Sequence, residues 1–327
     1  MLGPQRRNYS LLDALLVMVG PTAVGKGEVA VDLAGKLRAE IISADSRKIY
    51  RGMNIGTAKP SLEVRRKIPY HLIDVAAPDE VFSAAEFKKR ASSVIKRIQE
   101  ENKLPLLVGG SGLYIRAVVD GIFSGPGRDE DLRARLRERE KDEGEGALYQ
   151  ELKRLDPASA SRLHSHDARR VIRALEVYYL SGKPISSHQR EAPYSPLSST
   201  VMVGLRMKRS ALYQLTNRRV DAMIQEGLVQ EVEGLLNEGY EEDLPSMEGL
   251  GYRQIIGYLK GKYSREEAVR LVKRDTRRFA KRQLSWFNKD PRIIWLDREK
   301  FPTPGGTSEK IVEILLEKLP QVKETLR

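Results

Sequence analysis

The chain has 327 residues, 40% hydrophobic and 31% charged, the balance of a globular protein rather than a disordered or fibrous one. It contains no cysteine and only four histidines, which excludes a disulfide framework, thiolate-ligated metal and thiol nucleophile, and argues against a multi-histidine metal site. Lys and Arg number 57 against 45 Asp and Glu, a net charge of +12, an excess that fits an anionic polymer as partner.

Arg6-Arg7 ahead of the apolar stretch Leu11–Val19 has the outline of a twin-arginine export signal. Asp13 interrupts that stretch, and its longest unbroken piece, Ala14–Val19, is too short to cross a bilayer. No membrane span is expected, and the protein is read as cytoplasmic. Leu15–Val19 reads as a buried strand running into Gly20–Gly27. Glu28–Ala39 follows as a helix with Val29, Val31, Leu33, Ala34 and Leu37 on its apolar side. Glu40–Ser43 and His71–Asp74 read as the second and third strands. Ser83–Lys103 reads as a helix opened by a capping box of Ser83 and Glu86. Leu104–Val108 is a fourth strand, ended by Gly109-Gly110. Short apolar strands alternating with helices predict an α/β fold, a parallel sheet with helices on both faces.

The pattern changes after Gly121. Gly125-Pro126-Gly127 breaks the chain, Asp129–Leu180 is helical and heavily charged, Gly182-Lys183-Pro184 closes that block, and Pro193–Ser199 is a loop. Thr200–Met207 and Ile293–Leu296 return to strand character. The expected division is a core of residues 14–121 and 200–327, interrupted by a helical insertion of 122–199. No coiled-coil pattern or large apolar stripe suggests assembly, so a monomer is expected.

Gly20, Pro21, Thr22, Ala23, Val24, Gly25 and Lys26 fit G-x-x-x-x-G-K between a strand and a helix. Glycines there let backbone N–H groups converge on phosphate oxygens, while Lys26 and the helix N-terminus add positive charge. The next residue is ordinarily a Ser or Thr whose hydroxyl ligates Mg²⁺; here it is Gly27. Near the C-terminus Arg270, Lys273, Arg274, Arg277, Arg278, Lys281 and Arg282 recur at helical spacing, with Val269, Val272, Phe279, Ala280 and Phe287 opposite, expected to pack on the core. A basic face of this kind is either simply solvated or a phosphate-binding surface. Arg169, Arg170 and Arg173 form a second basic cluster, in the insertion.

Three further segments narrow the reading: Asp45-Ser-Arg-Lys-Ile-Tyr50 with Gly52–Pro60, Leu106–Tyr114 around Gly109-Gly110-Ser111, and Thr276–Gln283. With the phosphate loop they resemble the tRNA dimethylallyltransferase family, over most of the chain from about Val17 to Leu296. The resemblance implies a P-loop NTPase-like core with a helical insertion, dimethylallyl diphosphate as donor, Mg²⁺ as cofactor, and tRNA as acceptor. A flipped adenosine beside the anticodon is then prenylated on N6. It implies diphosphate binding by residues 20–27 and by Arg219, with Leu215 standing where the family places a second arginine. Asp45 matches the family's base, a carboxylate positioned to accept the N6 proton; as an aspartate just past a strand it is otherwise a turn cap. Ser111 stands where the family has Thr, as a contact to base or leaving group, or as the N-cap of the next helix. Arg133 matches an RNA-contacting arginine, or is one solvated charge among its neighbours. His71 is read as structural. Ser46, Arg47, Lys48, Arg169, Arg170, Arg173, Arg277, Arg278, Lys281 and Arg282 are expected on the tRNA, with Tyr252 stacking on an unpaired base and Arg253 and Gln254 hydrogen-bonding to it. Three rivals remain: an isopentenyltransferase acting on free adenine nucleotide, a nucleotide-hydrolysing P-loop protein, which Gly27 disfavours, and a catalytically weakened RNA-binding paralogue.

Overall fold

The run Ala14–Val19 forms the first strand, β1, buried at every position. Leu15, Val17 and Val19 pack into one apolar cluster, and Ala14, Leu16 and Met18 into another. Because both faces of the strand are covered, the sheet needs a helical layer on each side. A computed structural model describes residues 14–123, 125–191 and 199–325. The Arg6-Arg7 segment and residues 193–198 of the expected loop lie outside the described residues.

In chain order after β1 come α1 (Lys26–Lys36), β2 (Ala39–Ala44), α2 (Leu62–Lys67), β3 (Tyr70–His71), α3 (Ala84–Glu100), β4 (Leu104–Gly109) and α4 (Gly112–Val119). The insertion contributes α5 (Glu130–Glu143), α6 (Ala147–Leu155), α7 (Pro157–Ala160), α8 (Ala168–Ser181) and α9 (Ile185–Glu191). The chain then runs through β5 (Ser199–Arg206), α10 (Arg209–Gln225), α11 (Leu228–Asn237), α12 (Tyr252–Leu259), α13 (Arg265–Phe287), β6 (Ile293–Asp297) and α14 (Pro304–Lys318). The strands lie in the order β3-β2-β4-β1-β5-β6, every neighbouring pair parallel. The strand order reverses about β1, so the carboxyl ends of β1, β2 and β4 open onto the crevice where such sheets bind ligands.

The described chain divides into two units, residues up to 119 with 196 onward, and residues 120–195. The second unit is all-helical and has its own apolar core of Leu136, Leu148, Leu152, Val171, Leu175 and Val177. Asp156 fastens two of its helices: its carboxylate accepts from the Ser159 N–H at the start of α7 and the Ser186 N–H at the start of α9.

Several boundaries differ from the sequence reading. The first helix stops at Lys36 rather than Ala39. Leu37 is already extended, because Ala39 has to pair with Leu104. The third strand is only Tyr70–His71; Leu72 and Asp74 take left-handed conformations. That turn brings the Asp74 carboxylate to the Lys59 ammonium and the Arg65 guanidinium, at 2.5 and 2.6 Å. The helix α3 is shorter than 83–103, and its capping box is half made. The Ser83 hydroxyl accepts from the Glu86 N–H, but the Glu86 carboxylate takes the Arg90 guanidinium instead. His71 is held at the sheet edge by Glu40, 2.7 Å away.

Candidate active site

The phosphate loop fills the turn between β1 and α1, with Gly20, Ala23 and Gly25 all at positive φ. A side chain at Gly20 would put its Cβ 2.6 Å from the Leu205 carbonyl oxygen of the neighbouring strand, so only glycine fits there. Successive amides in such a turn form a concave donor surface for an anion. The Lys26 ammonium folds back along the loop and donates to the carbonyl oxygens of Gly20 and Pro21, at 2.9 and 2.7 Å. Burial, then repulsion from Arg219, pushes its pKa down to about 7, while Asp45 works the other way and Lys48 adds to the lowering. Lys48 and Arg219 are also lowered, chiefly by burial, and for both of them Asp45 is the largest opposing influence. Three desolvated cations thus share one carboxylate at the carboxyl edge of the sheet. Such a cluster is short of negative charge and suits an anionic ligand. Lys48, expected on the tRNA, belongs to this cationic group.

Asp45 sits directly after β2. Its Oδ1 accepts from the backbone N–H groups of Arg47 and Lys48, at 2.9 and 3.4 Å, which fixes the carboxylate by its own turn. That turn is tied to the end of β4. The Ser111 hydroxyl accepts from the Ser46 N–H at 2.9 Å and donates to the Ser46 hydroxyl at 3.2 Å. Ser111 therefore does not cap α4 with its side chain; it positions the Asp45 turn. The Arg47 guanidinium donates to the carbonyl oxygens of Pro245 and Ser246.

Three residues outside the expected site build its frame. Gln283 accepts from the Thr22 N–H at 2.7 Å and donates to the Gly110 carbonyl at 3.0 Å, so one amide from α13 clasps the phosphate loop and the Gly109-Gly110 loop together. It was visible in sequence only as the last residue of the Thr276–Gln283 segment. Glu231 accepts from the backbone N–H groups of Asn54, Ile55 and Gly56, and so shapes the Gly52–Pro60 segment. Arg298 lies buried against Gly25, its guanidinium donating to the Phe301 and Thr303 carbonyls, and its Nε has no partner among the described residues. No pattern in the sequence marked Glu231 or Arg298: Glu231 acts on backbone groups about 175 residues away, and Arg298 bonds carbonyls three to five residues on but reaches Gly25 only through the fold.

Two expected RNA contacts are corrected. Tyr252 is 1% exposed and its hydroxyl donates to Glu231 at 2.6 Å. Gln254 is likewise buried; its side chain caps the Gly251 N–H and donates to Asp275 at 2.9 Å. Both serve the core, because α12 turns this face inward. Arg253 stays exposed and pairs with Asp275 at 3.2 Å. On α13, Lys273 pairs with Asp221 and Arg277 donates to Asn217 while lying over Tyr213. Arg278, Lys281 and Arg282 are exposed. Phe279, expected in the core, is instead 36% exposed with the Arg282 guanidinium 5.9 Å from its ring centre.

Within the insertion, Arg133 grips Glu176 with two hydrogen bonds of 2.7 and 2.8 Å. The Asp129 N–H and Arg173 also bond this fully buried carboxylate. Against the effect of burial, these donors hold Glu176 down at about 2. Arg133 thereby joins α5 to α8, and Arg173, itself on α8, also donates to the Gly127 and Pro126 carbonyl oxygens ahead of α5, whereas Arg169 and Arg170 are exposed.

A protein-held Mg²⁺ does not fit position 27. Gly27 is exposed, with open space where a side chain would point and no hydroxyl to offer. The nearby carboxylate, Asp45, already stands among three cations.

The fold and this crevice define a P-loop-type protein with a cationic cluster beside a positioned carboxylate. The profile of the IPP transferase family matches residues 48–290, and the chain belongs to that family. It is 52% identical over 300 residues to a tRNA dimethylallyltransferase of Pelotomaculum thermopropionicum, covering 91% of this chain and 95% of that protein. A second, from Symbiobacterium thermophilum, is 48% identical and covers 94% of this chain and 96% of its own. Among solved structures, the full-length tRNA isopentenylpyrophosphate transferase of Bacillus halodurans is 41% identical with a TM-score of 0.68, covering 96% of this chain and 98% of that one. A eukaryotic dimethylallyltransferase described as acting on tRNA superposes with a TM-score of 0.79 at 25% identity, covering 93% and 79% of the two chains.

Proposed function

We propose that the protein transfers a dimethylallyl group from dimethylallyl diphosphate to N6 of the adenosine at position 37 of tRNA, next to the anticodon, releasing diphosphate. The observation that carries this reading is the meeting of Lys26, Lys48 and Arg219 with Asp45 at the carboxyl edge of the sheet. The N6 lone pair attacks C1 of the donor, the C1–O bond breaks, and its electron pair leaves on the diphosphate. Loop amides and the three cations take up that developing charge, the largest electrostatic contribution available here. Asp45 accepts the N6 proton, and its Oδ1 stays oriented by the Arg47 and Lys48 amides. Mg²⁺, which the family resemblance implies, would neutralise donor phosphate charge; no step here depends on it, because position 27 supplies no ligand. The basic surface of α13 suits an RNA acceptor, and the reading is of a cytoplasmic monomer.

Incubation with tRNA and dimethylallyl diphosphate, followed by mass analysis of nucleosides, tests the assignment. Prenylated adenosine is expected from the wild type. Asp45→Asn should lower turnover by ~10²–10⁴-fold with tRNA affinity nearly intact. No prenylated nucleoside, or better turnover with free adenine nucleotide than with tRNA, refutes the proposal.

A further inference from the structure

Trp286 is 43% exposed and Leu113 is 53% exposed, whereas tryptophan is ordinarily among the more deeply covered residues. The indole is not adrift. Its Nε1 edge lies so close to Gly112 that a Cβ there would come within 2.1 Å of it. Gly112 adjoins Ser111, whose hydroxyl holds the turn that carries Asp45. One helical turn before Trp286, Gln283 clasps the phosphate loop. The indole is therefore an exposed aromatic surface at the rim of the candidate site, with its Nε1 edge against Gly112. Along its own segment Arg278, Lys281, Arg282 and Lys289 are all exposed, with no acidic residue between Asp275 and Asp290.

We infer that Trp286 is a stacking platform for an unpaired nucleobase adjacent to the reacting adenosine of the RNA substrate. The inference rests on the proposed tRNA-modifying function. Taking a base out of its stack leaves its neighbour with a bare π-face, and the loss has to be made good. An aromatic ring held beside the site replaces the lost neighbour, while the flanking cations engage the backbone phosphates.

The test compares wild type, Trp286→Ala and Trp286→Phe for binding to an anticodon stem-loop RNA and to inorganic pyrophosphate. Trp286→Ala should weaken RNA binding roughly 5- to 100-fold, and Trp286→Phe should recover most of it, with pyrophosphate affinity unchanged in both. The chain has two tryptophans, so Trp295→Phe leaves Trp286 as sole reporter, and its fluorescence should be quenched by RNA. Unchanged RNA affinity in a folded Trp286→Ala protein overturns the inference, as does an equal loss of pyrophosphate affinity. Those outcomes leave the functional proposal standing if the wild type prenylates tRNA; a wild type that neither binds nor prenylates tRNA refutes the proposal itself.

Discussion

Lys26 is the residue whose burial works most directly against the donor-free fold. Its pKa falls from 10.5 to about 7, so the unfolded chain binds more protons at neutral pH than the folded one. Stability from this group is therefore depressed below pH 7 and recovers as pH rises from 7 toward 10.5. At pH 7 the difference corresponds to about 4 kcal/mol against the fold. Lys26→Met removes that penalty together with two hydrogen bonds to the Gly20 and Pro21 carbonyls, worth ~0.5–1.5 kcal/mol each. The net expectation is a variant more stable than wild type by ~1–3 kcal/mol at pH 7, with the advantage shrinking by pH 10. The same variant should lose pyrophosphate binding, because an anion is what restores the proton to Lys26. Urea unfolding followed by tryptophan fluorescence at pH 7, 8.5 and 10 measures the first effect, and calorimetric titration with pyrophosphate the second. A Lys26→Met protein no more stable than wild type at pH 7, or one whose advantage does not change with pH, would refute the reasoning.

Gly27→Thr restores a hydroxyl where space is open, and should lower the Mg²⁺ concentration giving half-maximal prenyl transfer with little change in tRNA affinity; identical metal titrations would place the metal elsewhere. Replacing Arg278, Lys281 and Arg282 by Ala should flatten the salt dependence of tRNA binding, each lost phosphate contact lowering the log–log slope by ~0.7–0.9; an unchanged slope would mean the face is only solvated. Glu176→Gln should destabilise the protein by ~3–5 kcal/mol at neutral pH, since Arg133 and Arg173 lose the charge that pairs them. Glu176 is held at about 2 against an ordinary 4.5, so its stabilising contribution is present above pH 4.5 and lost as pH falls toward 2; equal acid sensitivity of wild type and variant would count against it.

Local chemistry was readable along the chain. The phosphate loop could be read from glycine spacing after an apolar run, and Asp45 from its place past the second strand. Both depend on backbone conformation and neighbours within a few residues. The parallel sheet followed from strands too apolar to face water on either side. The roles of Tyr252, Gln254, Arg133 and Phe279 were not readable, because each turns on which surface another element covers. Tyr252 packs in the apolar core, and its hydroxyl is satisfied there by Glu231, 21 residues earlier in the chain. Arg133 is spoken for because Glu176, 43 residues later, lies opposite it. The seven cations from Arg270 to Arg282 look alike in sequence, yet Lys273 and Arg277 are turned to partners on α10 while Arg278, Lys281 and Arg282 stay exposed. Gln283 and Glu231 act through backbone atoms far away in the chain, and such bonds leave no periodicity or motif behind. Side-chain identity and short-range spacing determined what chemistry the chain can offer; long-range packing decided which of those groups are free to perform it.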